Sequence, residues 1–122
     1  MGLRDKIAAA SARRFTTVTV PLLGEVRLRS LTAREMRALK SSLSDSKGEF
    51  NKERAQKLDL LLIALCVVDA AGNLEFSEAD VAGGLLDDID GGALTVLFSA
   101  CKSHTGFGAD EDWQAIEDAA KN

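Results

Sequence analysis

The residues best equipped for chemistry are the acids that follow the most apolar part of the chain. Asp69, Asn73, Glu78 and Asp80 bring oxygen donors at roughly the spacing of a calcium-binding loop. Such a loop needs a donor at its third position, glycine at its sixth for the sharp turn, and a bidentate Glu at its twelfth. Counted from Asp69, those positions hold Ala71, Leu74 and Asp80, so the segment reads better as a helix exit and a turn. Asp87-Asp88-Ile89-Asp90 puts three carboxylates in four residues. A divalent ion would suit them, but so would the positive N-terminal dipole of a following helix, and the apolar pattern from Ala93 supplies that helix. Cys66, Cys101 and the single histidine, His104, have no C-x-x-C or H-x-x-x-H partner. Both cysteines fall in apolar helical patterns, where a free thiol packs as a small hydrophobe. Ser103, His104 and Thr105 have no triad spacing, Gly91-Gly92 lacks the third glycine of a dinucleotide loop, and no phosphate-binding G-x-x-x-x-G-K-[ST] occurs. No metal or cofactor is implied, and the chain does not read as an enzyme.

The elements that would position any site fit one domain of 122 residues. No secretory signal is visible and the longest apolar run is too short for a bilayer, so the expected compartment is cytoplasm. The net charge of -4 conceals a division. Residues 1–57 hold 13 basic and 6 acidic side chains, a balance of +7, and residues 58–122 hold 2 and 13, a balance of -11. One reading is a basic face for nucleic acid or an acidic partner; the other is two halves folding against each other. The spread of the basic residues over several elements and the scarcity of aromatics favour the second, and nucleic-acid binding is disfavoured.

Leu58 to Val68 is apolar except for Asp59. With the charged lead-in from Lys52, it predicts a helix from about Lys52 to Asp69 that must be surrounded by other elements. Ahead of it, Phe15 to Val20 and Glu25 to Arg29 alternate about Pro21-Leu22-Leu23-Gly24, predicting a hairpin. Thr32 and Glu35 form a capping box for a helix with a Met36/Leu39/Leu43 stripe. Ser77 and Asp80 repeat that logic for a short helix pairing Val81 with Leu85, with Leu74 and Phe76 tucked into the core before it. Leu94, Leu97, Phe98 and Cys101 mark the best packing partner of the central helix. The expected fold is α+β, mainly α: a small helical bundle around a central apolar helix, with an N-terminal β-hairpin. Its parts are an N-terminal arm, 1–14, a hairpin plus helical core, 15–104, and an acidic amphipathic C-terminal tail, 105–122.

The order of these parts, with Val-Arg-Leu-Arg-Ser-Leu-Thr-Ala-Arg-Glu from Val26 to Glu35 and Val-Val-Asp-Ala-Ala-Gly-Asn-Leu-Glu-Phe from Val67 to Phe76, resembles the tail assembly chaperones of long-tailed, non-contractile bacteriophages and prophages. The resemblance spans roughly Phe15 to Cys101 and rests on an R-x-L-T-x-x-E phrase and a D-x-x-G-x-x-x-F phrase. It implies a non-enzymatic protein of the host bacterial cytoplasm, absent from the mature virion. Such a protein keeps the tape-measure protein soluble and helps recruit the major tail (tube) protein. It leaves homo-oligomerisation open and involves no membrane. A chaperone of this kind needs apolar surface to offer a client helix. The candidate surface is Leu22 and Leu23 in the hairpin loop with Phe107, Trp113 and Ile116 toward the C-terminus. The competing readings are a structural tail or head-completion protein retained in the particle, and a small nucleic-acid-binding regulator.

Overall fold

The computed structural model describes residues 2–44 and 47–107. Strands β1 (Phe15–Val20) and β2 (Gly24–Arg29) form the expected hairpin, in register from Phe15 opposite Arg29 to Val20 opposite Gly24. The alternation sets its faces: Val18, Val20, Val26 and Leu28 turn to the core, with Val20 and Leu28 fully buried.

The central helix departs from the expectation in two places. It is divided at Lys57 into α3 (Lys52–Gln56) and α4 (Leu58–Cys66). The Lys57 N–H donates to the Arg54 carbonyl at 3.1 Å, three residues back, which tightens the turn and redirects the axis. It also ends three residues early. Val67 and Val68, β-branched and suited to a pleated surface, leave the helix as strand β3 (Val67–Val68) and pair antiparallel with Leu28 and Arg27 of β2. Arg29 Nε donates to the Leu65 carbonyl at 2.7 Å, satisfying a group that the early stop leaves open. The hairpin, marginal as two strands, thereby becomes a three-stranded sheet in the order β1-β2-β3.

Helix α2 (Ala33–Ser41) starts at the expected capping box: the Thr32 hydroxyl accepts from the Glu35 N–H at 3.2 Å and the Glu35 carboxylate from the Thr32 N–H at 2.9 Å. Helices α5 (Glu78–Ala82) and α6 (Gly91–Thr105) follow, and α6 packs Ala93, Leu97 and Cys101 toward α4. Seven of the nine residues of α4 are buried. Helices α5 and α6 pack on it, and Val20 and Leu28 of the sheet and Leu39 of α2 join it in one buried core. The Cys66 and Cys101 thiols are free and buried; the hydrogen bond between them, with burial, pushes the Cys101 pKa up.

Part of the divided charge is paired inside the fold. Arg54 pairs with Glu78 at 2.7 Å and Lys57 reaches Asp87 at 3.9 Å. Arg14 donates to the His104 carbonyl and Arg27 to that of Ala70. The basic half thus laces onto carboxylates and carbonyls of the acidic half. In the N-terminal arm, helix α1 (Leu3–Ala10) buries none of its residues. Arg13 and Arg14, though exposed, are tied to the end of the hairpin and to α2 by Glu35, the Ser30 carbonyl and the Ser30 hydroxyl. At the other end, the boundary expected at residue 104 falls inside α6. Gly106, in the left-handed conformation, ends that helix.

Candidate functional site

The hairpin turn is the first unusual feature. Pro21 presets the turn, the Leu23 N–H closes it on the Val20 carbonyl at 3.1 Å, and Leu22 occupies the following position with φ of 71°. A turn of this shape asks for glycine at that position. A leucine there crowds its β-carbon against the backbone, at a cost of about 1–2 kcal/mol. The side chain so held is 82% exposed and receives no packing in return. Backbone strain that the fold does not exploit is a mark of a functional position.

Beside this tip lies an open cleft of about 540 Å³, within the range of roughly 300–1,000 Å³ usual for binding clefts. β2 contributes Val26 and the loop before it Leu23; the buried Ile63 of α4 and Leu97 of α6 line its depth; Phe76, Leu85 and Ile89 form a further part of its wall. Local chemistry explains that wall. The Asp69 carboxylate accepts from the Ala71 and Asn73 N–H groups at 2.9 and 3.0 Å, and Gly72 takes a φ of 89°. This turn sends the chain back along β3, where Leu74 bridges to Val68. Ser77 and Asp80 then cap α5 reciprocally. At its end Gly84, with φ of 84°, lets the Leu85 N–H reach the Asp80 carbonyl at 3.0 Å. The chain reverses, burying Leu86 and leaving Leu85 61% exposed at the cleft.

Glu25, Glu75 and Asp88 border the cleft, together with Arg27. Arg27 is engaged: it donates to the Ala70 carbonyl at 2.6 Å, and its guanidinium lies 4.4 Å from the centre of the Phe15 ring. A second hollow, of about 270 Å³, lies among Arg54, Lys57 and Glu78, whose charges are already paired within the fold.

Of the surface residues read from the sequence, Leu23 lines the cleft and Leu22 stands on its lip-side turn, fully presented. Phe107 corrects the expectation. It is 1% exposed, held in the core just past α6 with Lys40 above its ring at 5.9 Å, so it supplies packing where a docking surface was expected. Trp113 and Ile116 lie outside the described residues. Leu85, expected to pair with Val81 inside a helix, and Leu74, expected in the core, are both exposed. The signal for Leu85 was present in the sequence: Gly83-Gly84 ends α5 before that residue, so the i, i+4 pairing never forms.

The residues that suggested other chemistry are used structurally. Asp69, Asp80 and Asp90 hold backbone N–H groups, the last accepting from Ala93 at 3.0 Å as the N-cap of α6. His104 Nε2 lies 3.1 Å from the Arg14 carbonyl, and the Thr105 hydroxyl donates to the Cys101 carbonyl. Among the described residues no three His, Cys, Asp or Glu side chains gather as a metal site, and no helix is long and apolar enough to cross a membrane. Glu35, with Arg13 bidentate on its carboxylate at 2.9 and 2.7 Å, has its pKa lowered to about 2. It ties the arm, the hairpin and α2 together.

The sequence matches no protein-family model and no curated protein. Among solved structures, the fold is similar to that of the bacteriophage HK97 tail assembly chaperone, with a TM-score of 0.54 and 18% identity, covering 83% of this chain and 97% of that one. At that identity the likeness establishes a shared fold.

Proposed function

We propose that this chain is a tail assembly chaperone: a non-enzymatic protein that holds an apolar segment of the tape-measure protein in solution and helps bring tail-tube subunits to it. The observation that carries the reading is the fold likeness to the HK97 tail assembly chaperone over nearly that protein's whole length. The two phrases of the resemblance add a physical reason. In R-x-L-T-x-x-E, Arg29 anchors the end of α4 while Thr32 and Glu35 cap α2. In D-x-x-G-x-x-x-F, Asp69 and Gly72 make the turn and Phe76 walls the cleft. These residues maintain the frame around an apolar opening, which is what a helix-holding protein requires.

The chaperone acts in the host cytoplasm and leaves before the particle is complete. Co-expression with its tape-measure protein tests this. The expected result is a tape-measure protein that stays in the soluble fraction only when the chain is present, and purified particles whose mass spectra lack its peptides. Stoichiometric peptides in the particle would assign the chain to the tail or head structure instead.

A further inference from the structure

The chemistry of the cleft defines what it holds, an inference that rests on the chaperone reading for the identity of the client. We propose that the cleft takes one face of an amphipathic helix whose apolar stripe is bordered by lysine or arginine. Three observations lead to this occupant.

The opening is lined by aliphatic and aromatic side chains, of which Leu23 and Leu85 are exposed to solvent. Apolar surface left open at a groove marks a place where another chain buries its own. Next, the rim is acidic and unneutralised. Glu25, Glu75 and Asp88 form no ion pair and no side-chain hydrogen bond among the described residues, and the one rim cation, Arg27, is already committed to Ala70 and Phe15. Cations flanking the entering stripe would meet three free carboxylates, whereas acids there would be repelled.

Finally, the sheet offers no free backbone here. The outer side of β3 is occupied by the returning segment, where the Glu75 N–H donates to the Val67 carbonyl at 3.2 Å and Leu74 bridges to Val68. An extended peptide therefore has no ladder to join. A helix, which satisfies its own backbone and presents apolar residues at i, i+3 or i+4, and i+7, binds through side chains alone.

Two synthetic helical peptides and the full chain decide the matter. The peptides share a leucine stripe and differ only in flanking lysines or flanking glutamates. The lysine peptide is expected to bind roughly tenfold or more tightly than its twin at low salt, an advantage that shrinks as ionic strength rises. Leu85→Arg, at an exposed position, should abolish peptide binding with the fold intact by circular dichroism. The pair Glu25→Lys with Asp88→Lys should reverse the preference. Equal binding of the two peptides, or binding indifferent to Leu85→Arg, would overturn the proposal. So would a chain that binds neither peptide but loses self-association on Leu85→Arg, since the cleft would then belong to a second copy.

Co-expression separates this inference from the reading beneath it. A tape-measure protein kept soluble equally by the native chain and by Leu85→Arg would remove the cleft and leave the chaperone. One that the native chain fails to keep soluble would remove the chaperone, while the peptides would still judge the cleft.

Discussion

Helix α4 and the cleft are built from the same kinds of residue, and they differ in how the chain delivers them. The apolar residues of α4 are contiguous, so no single neighbour can cover them. Helices α5 and α6 pack on them, residues of the sheet and α2 share their core, and burial is nearly complete. The apolar residues of the cleft come one or two at a time from β2, a hairpin loop, α4, a returning segment and a glycine-terminated turn. No one element needs to bury them, and several remain open. The most apolar stretch of a chain is thus a poor guide to where it binds. Concentrated apolarity is consumed by the fold around it, and the apolar surface left open is assembled from what the elements do not use.

The comparison predicts a sharp division in the effects of mutation. Leu62→Ala, in the fully buried part of α4, should destabilise the fold by about 2–5 kcal/mol, read as a lower urea midpoint, while the fraction still folded binds the lysine peptide normally. A specific loss of affinity in that fraction would make Leu62 part of the working surface. Glu35→Ala should cost about 1–2 kcal/mol, because it removes the capping box along with the Arg13 and Arg29 partner, again with peptide affinity unchanged.

Acid should reproduce part of that loss. The folded pKa of Glu35, about 2, lies below its ordinary 4.5. Its contribution is therefore present above about pH 5 and fades as the pH falls toward 2. After screening by solvent it amounts to roughly 1 kcal/mol. Urea midpoints measured across that range should fall for the native chain more steeply than for Glu35→Gln; parallel curves would remove Glu35 from the account.

Leu22→Gly should move stability the other way, by about 1 kcal/mol upward, since glycine accepts the positive φ that leucine resists. Weaker hold on the client would accompany that gain. Unchanged client solubility in this variant would mean that the strained leucine has no part in binding. The smallest effect on stability is expected for Leu85→Ala, within about 0.5 kcal/mol. Its expected effect on peptide affinity is large, and the contrast with Leu62→Ala is the most direct measure of the division between core and cleft.

Much of the fold was legible in local chemistry. The alternation of Phe15 to Val20 and Val26 to Arg29 is a hairpin in any context with an apolar side to cover, and Thr32/Glu35 and Ser77/Asp80 are capping arrangements that act within four residues. The failures share one cause. Val67 and Val68 continue an apolar helical run, and their departure is stabilised by the edge of β2, which lies about forty residues earlier in the chain. Phe107, following a breaker and preceding an acidic tail, resembles an exposed anchor until α6 and Lys40 are seen to enclose it. Of the residues named from the sequence, Leu23 lines the cleft and Leu22 stands exposed beside it. The acids around the cleft were not legible, because no spacing connects residue 25 with residues 75 and 88, and Leu85 was read as packed although Gly83-Gly84 ends its helix first.

The sequence by itself determined the hairpin, the capped helices, the buried role of the apolar stretch from Leu58 and the division of charge between a basic half and an acidic half, since each depends on neighbours in the chain or on composition. Only the tertiary structure decided that Val67 and Val68 complete a sheet, that Phe107 is core, and that an acid-rimmed apolar cleft opens beside a strained leucine turn. Those features arise where distant segments meet, and their energies are set by partners that the linear order does not reveal.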